Sequence, residues 1–170
     1  MPELYAKPAL GLIALVVAAS PRVGSGGVTV ALPPGWHAVT PIHSTSYPQP
    51  VTRLVVSSGP IGQRLTGRCH TQVADYTFPP TAVAIVVLEW TKPLAGIKIG
   101  IGPRRPRRFT AKNLPVVRPE IECFGGPGGS AQWSERGHTF GAYVLLGRKA
   151  PTVLAARARA VLDTLRVAPR

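Results

Sequence analysis

An α+β fold is predicted here: a twisted antiparallel β-sheet with a C-terminal amphipathic helix packed on one face. Three observations carry that prediction. Short apolar or alternating runs recur between prolines and glycines over residues 28–146, which is the signature of successive short strands. A single stretch near the C-terminus, Leu154, Ala158, Val161, Leu162 and Leu165, keeps helical spacing. The 45% hydrophobic and 16% charged content supports a core, while 19 prolines and 18 glycines restrict the chain to short elements. Strands met one after another pair antiparallel, and one helix can then cover one face of the sheet.

The N-terminus is read first as an address. Leu10 to Ala19 is an unbroken apolar run that follows Lys7 and closes on small residues, the shape of an export signal. Val17-Ala18-Ala19 supplies the small-x-small pattern before a cut at Ser20, so residues 1–19 are expected to be a signal peptide, 20–27 a flexible linker and 28–170 one α+β domain. A membrane span needs about 20 apolar residues, and this run ends at the polar, Pro- and Gly-containing stretch from Ser20 to Gly27. No transmembrane span is expected after signal removal. No cysteine follows the run and no twin arginine precedes it, which removes lipid attachment and the folded-export route. The expected location is secreted or extracytoplasmic, associated with the cell envelope.

Val28 to Leu32 alternates apolar with small or polar residues and stops at Pro33-Pro34-Gly35-Trp36, a strand ending in a turn. Thr52 to Ser57 places Leu54 and Val56 on one face with Arg53 and Val55 on the other, which predicts a half-buried strand. Ala82 to Leu88 is apolar on both faces, β-branched and too short for an ordinary helix, so it is the central strand. Ile97, Ile99 and Ile101 alternate with Lys98, Gly100 and Gly102 and permit a further strand weakened by glycine.

Glu120 to Phe124 alternates carboxylates with Ile121 and Cys123, a strand that turns the cysteine inward. Ser130 to Glu135 and Thr139 to Leu146 flank Arg136-Gly137, whose glycine suits the positive φ of a tight hairpin. In the final stretch Arg157, Arg159 and Asp163 occupy the positions the apolar residues leave free, giving a helix of about four turns. Pro151 can open it as a first-turn residue.

The Leu32-Pro-Pro-Gly-Trp36 segment and the closing Val161-Leu-Asp-Thr-Leu-Arg-Val167 stretch resemble the PsbP-like family of small exported domains. The resemblance covers the two ends of the chain; residues from Gly59 to Gly128 carry no pattern of that family. It implies an antiparallel sheet flanked by helices that serves as an accessory or binding part without catalytic activity, and it transfers no functional residue. The missing lipid-bearing cysteine departs from the lipoprotein members, which favours soluble release.

Cys69 and Cys123 are the only cysteines. In oxidising surroundings they are expected to form a disulfide, closing a loop of about 55 residues worth roughly 4 kcal/mol in the chain-entropy model. The sharper alternative is a metal or nucleophilic site built from Cys69, His70, Cys123 and one of His37, His43 or His138. No Cys-x-x-Cys or His-x-x-x-His spacing supplies paired ligands for it. No metal and no cofactor are therefore expected.

Catalytic signals are equally sparse. Gly-x-Ser-x-Gly is absent, and Glu120 and Glu122, about 7 Å apart on one strand face, read as a solvated outer face rather than a paired acid and base. Gly125 to Ser130 follows a strand, precedes another and lacks the lysine of a nucleotide loop, so it reads as a flexible connection. Trp36, Trp90, Trp133, Tyr143 and Phe140 could form a ligand platform but at strand positions read as core. No catalytic residue is assigned. A secreted enzyme centred on His70 or His138 is the alternative function.

The net charge of +13 bears on partners only where it clusters. It does so at Gly102-Pro-Arg-Arg-Pro-Arg-Arg-Phe109, where prolines keep Arg104, Arg105, Arg107 and Arg108 extended and crowded. Guanidinium forks match phosphate and carboxylate oxygens, so these four are the candidate anion-binding residues. The expected partner is an anionic envelope polymer, a lipid headgroup or a protein. Nucleic acid is not expected; it would require Arg64, Arg68 and Lys112 to join the loop in one groove with exposed aromatics. The sequence thus points to an exported, non-enzymatic accessory or binding module.

Overall fold

The computed structural model describes residues 20–42, 49–64, 75–93, 98–116 and 124–169. Along them lie β1 (Arg22–Ser25), β2 (Val28–Ala31), β3 (His37–Ala38), β4 (Val51–Ser57), β5 (Gly62–Gln63), β6 (Tyr76–Thr77), β7 (Val83–Trp90), β8 (Gly128–Glu135), β9 (His138–Leu146), α1 (Val153–Asp163) and β10 (Arg166–Val167). These strands form a five-stranded sheet ordered β3-β4-β7-β9-β8, a three-stranded sheet ordered β1-β2-β10 and the pair β5-β6, with every strand pairing antiparallel. Mostly antiparallel sheet plus one C-terminal helix is the α+β class expected.

β7 sits in the middle of the large sheet because it can bury both faces. All eight of its residues are buried. Val83, Ile85 and Val87 enter a core that also holds Leu54, Val56, Trp133, Phe140 and Val144; Ala84, Val86, Leu88 and Trp90 enter a second core with Val55, Tyr76 and Leu145. β8 and β9 pair from Gly128↔Leu145 to Glu135↔His138. The turn between them has Arg136 at φ 53° and Gly137 at φ 79°, the positive values at both central positions that match hairpin twist. Pro34 and Gly35, the latter at φ 74°, turn the chain after β2, and Trp36 N–H closes the turn on Pro33 O at 3.1 Å.

α1 buries Leu154, Ala155, Ala158, Val161 and Leu162, which join the first core beside Val28 and Val30. Its 11 residues make about three turns, fewer than the apolar spacing suggests. Pro151 lies before the N-cap Thr152 and not in the first turn, and Leu165 is buried one residue past the C-cap Thr164. The spacing outlives the helix because Leu165 fills the same core from the connection to β10.

Four further expectations are corrected. Residues 20–27 are not a free linker: β1 pairs with β2 along its length, and Gly26 and Gly27, at φ 57° and 80°, form a tight turn between them. β4 is not half-buried, since it is buried on both faces from Leu54 to Ser57. The described part of the Ile97 to Ile101 stretch is turn, with Gly100 at φ 70°. Within the Gly125 to Ser130 connection, Gly128–Ser130 already belong to β8. Residues 1–19, expected to be a signal peptide, and His43, Arg68, Cys69, His70, Glu120, Glu122 and Cys123 lie outside the described residues. Among the described residues no helix is long and apolar enough to cross a membrane.

Candidate functional site

The arginine stretch, Gly102 to Phe109, runs from the edge of the large sheet to the end of α1. Arg104 bridges Ser134 on β8, whose N–H donates to Pro103 O at 2.7 Å. Arg105 turns inward: its Nε lies 3.2 Å from Glu135 Oε2, and its Nη1 donates to Leu165 O at 2.7 Å. Phe109 N–H then donates to Asp163 Oδ1 at 2.7 Å, and the Phe109 ring is buried edge-on against Trp133. The loop is therefore pinned at both ends over residues 163–165. Arg107 and Arg108, between the pins, remain exposed.

Two more arginines arrive at the same place from the chain ends. Arg22 on β1 donates from Nη2 to Thr164 O at 2.8 Å and from Nε to Thr29 Oγ1 at 3.1 Å. Arg166 on β10 stands opposite Thr29 across β2. Desolvation, and secondly the nearby Arg166 guanidinium, lower the Arg22 pKa from its ordinary value. The last carbonyls of a helix lack internal partners and sit at the negative end of its dipole. α1 carries no basic residue in its own last turn, so Arg22 and Arg105 supply that charge from elsewhere in the chain.

The four predicted anion-binding residues thus divide. Arg105 is committed to Glu135 and Leu165, while Arg104, Arg107 and Arg108 are exposed. Arg22 and Arg166 belong to the same cluster, and nothing in the sequence marks them, because they reach it only through the β1-β2-β10 sheet. Among the described residues two carboxylates stand against these six arginines, Glu135 paired with Arg105 and Asp163 accepting from the Phe109 N–H.

A second polar group lies inside the sheet. Glu89, near the end of β7, is fully buried. Its Oε2 lies 2.5 Å from Arg53 Nε and its Oε1 2.7 Å from His138 Nδ1. By alternation Arg53 would face away from Leu54 and Val56. However, β4 pairs Thr52 with Leu88 and Leu54 with Val87, leaving Arg53 as an unpaired bulge residue. A bulge re-aims a side chain, and this one turns Arg53 onto the face that carries Glu89. Glu135 is the cross-strand partner of His138, so Arg53, Glu89, His138, Glu135 and Arg105 form a polar row across the sheet. Sequence reasoning passed over Glu89, although an acid closing a wholly apolar strand signals a buried pair.

The His138–Glu89 contact has the geometry of the base and orienter of a catalytic triad, but no hydroxyl hydrogen-bonds His138 among the described residues. His37 is exposed on β3. Among the described residues no group of three or more His, Cys, Asp or Glu side chains could hold a metal ion. Trp90, Trp133 and Phe140 are buried core residues, whereas Trp36 and Tyr143 are partly exposed. No family model matches the chain, and no curated protein or solved structure shows significant similarity to it.

Proposed function

We propose that the protein is an exported, non-enzymatic binding module of the cell envelope, a twisted sheet with its amphipathic helix on one face serving as scaffold for an anion-binding surface. The observation that supports this reading is the convergence of Arg22, the 104–108 loop and Arg166 around the C-terminal end of α1. Arg104, Arg107, Arg108 and Arg166 offer exposed guanidinium groups, while Arg22 and Arg105 hold the frame. The partner class is one presenting phosphate or carboxylate oxygens, such as a lipid headgroup or wall polymer. The leader would direct export and be cleaved after Ala19, and a Cys69–Cys123 disulfide would staple the second face of the sheet. In favour of that staple, Phe124, next to Cys123, stacks on Phe78 with ring centroids 5.7 Å apart, and Phe78 directly follows β6. Cys69 lies five residues beyond Arg64, whose N–H donates to Asp75 O at 2.8 Å.

The test is co-sedimentation with vesicles of anionic phosphatidylglycerol against vesicles of neutral phosphatidylcholine, with a soluble polyanion as competitor. The reading expects retention on the anionic vesicles alone, lost in the Arg107→Ala/Arg108→Ala/Arg166→Ala variant. Equal retention of that variant contradicts it.

A further inference from the structure

A groove of about 440 Å³ separates α1 from the turn after β2, within the range of about 300–1,000 Å³ usual for small-ligand sites. Its walls are Pro33, Pro34 and Trp36 on one side and Ala160 and Val161 on the other, with Arg157 as its charged member. Arg157 and Ala160 are exposed on α1, Trp36 is partly exposed, and no carboxylate lines the groove. Arg157 makes no ion pair among the described residues. An aromatic ring, two prolines and two small aliphatic side chains suit an apolar chain. One exposed guanidinium at the rim suits a single anionic head and selects against a cation. We infer that this groove binds one single-chain anionic lipid, its acyl chain along Trp36 and its phosphate or carboxylate on Arg157. The groove borders the arginine cluster at Thr164, whose carbonyl accepts from Arg22, but Arg107, Arg108 and Arg166 do not line it, so this inference goes beyond the proposed function and can stand without it.

Trp36 makes the test direct. The other two tryptophans, Trp90 and Trp133, are 5% and 1% exposed, so acrylamide quenching of the whole protein reports chiefly on Trp36. The probe is lauroyl lysophosphatidylglycerol below its micelle concentration, compared with the lysophosphatidylcholine of the same chain and with glycerol 3-phosphate. The expected result is a blue shift and reduced quenching with the anionic lysolipid only. Arg157→Ala should weaken it about tenfold or more, the value of one charge-assisted hydrogen bond, and Ala160→Glu, which sets a carboxylate in the groove, should weaken it too; both are surface changes on α1. Unchanged circular dichroism would show that both variants are folded. Equal binding of the choline lipid, equal binding of glycerol 3-phosphate, lysolipid binding that leaves Trp36 unaltered, or no effect of either substitution would each overturn the inference. The Arg107→Ala/Arg108→Ala/Arg166→Ala variant should bind the lysolipid as wild type does. Failure of vesicle retention alone therefore removes the proposed function and leaves the groove standing.

Discussion

Arg105 donates to the main-chain oxygen of Leu165, 60 residues further along, at 2.7 Å while its Nε lies 3.2 Å from Glu135. One side chain thereby ties the sheet edge, the arginine loop and the end of α1 together.

Arg105→Ala should destabilise the protein by about 1.5–3 kcal/mol, the usual worth of a hydrogen bond from a charged group. Arg107→Ala and Arg108→Ala, being exposed, should stay within about 0.5 kcal/mol. Urea unfolding of the three variants separates the structural arginine from the two available ones; equal effects would contradict the division.

Glu89 leads to a larger effect. Replacing it by leucine leaves the partly buried Arg53 and His138 without their shared carboxylate, and breaking a buried pair in this way costs up to about 3–5 kcal/mol. The triple variant Arg53→Met/Glu89→Leu/His138→Leu should regain much of that loss, because no uncompensated charge remains. Thermal or urea unfolding of the single and triple variants gives the comparison. A triple variant less stable than Glu89→Leu would show that the ion row holds the sheet in a way that apolar packing cannot replace.

Tyr76 governs alkaline stability. It is buried in the second core, and burial, with Asp75 adding to it against an opposing contribution from Thr52, pushes its pKa from 10.0 up to about 12. The folded state thus holds the phenolic proton over a range in which the unfolded chain releases it. Its contribution is complete below pH 10 and is lost as the pH rises to about 12, a decline of roughly 2–3 kcal/mol from linkage. Urea titrations from pH 9 to 12 should show that decline in the wild type and its absence in Tyr76→Phe, read as the difference between the two.

Arg136 occupies a left-handed conformation at φ 53°, which costs a residue with a Cβ about 1 kcal/mol or more. Arg136→Asn should raise stability by a few tenths to about 1 kcal/mol, since Asn-Gly is the favoured pair for this turn. A fall in melting temperature would contradict that assignment.

Much of the scaffold was legible from the chain alone, and the reasons are physical. Residues 82–88 read as a central strand because burial on both faces leaves no other pattern, and Arg136-Gly137 read as a hairpin because positive φ has a narrow chemistry. Local patterns do not reveal a bulge. Without one, alternation sent Arg53 to the wrong face, and the row from Arg53 to Arg105 stayed hidden. β1 was read as linker because Gly24, Gly26 and Gly27 outweigh two alternating residues in a four-residue strand. The site was half legible: a run of four arginines shows itself, whereas Arg22 and Arg166 join it only because β1 and β10 both pair with β2. Arg105 could be told from Arg107 only by its acceptor on Leu165.

The most direct test of the arginine cluster as a shared anion site is binding to phosphatidylglycerol vesicles as a function of salt, for the wild type and for Arg107→Ala/Arg108→Ala with and without Arg166→Ala. If arginines from separate parts of the chain form one surface, affinity should fall with salt in the wild type. Each removal should lower both the affinity and its salt dependence, with Arg166→Ala adding to the loop double variant. Binding that ignores salt, or that is unchanged by all three substitutions, would contradict the account.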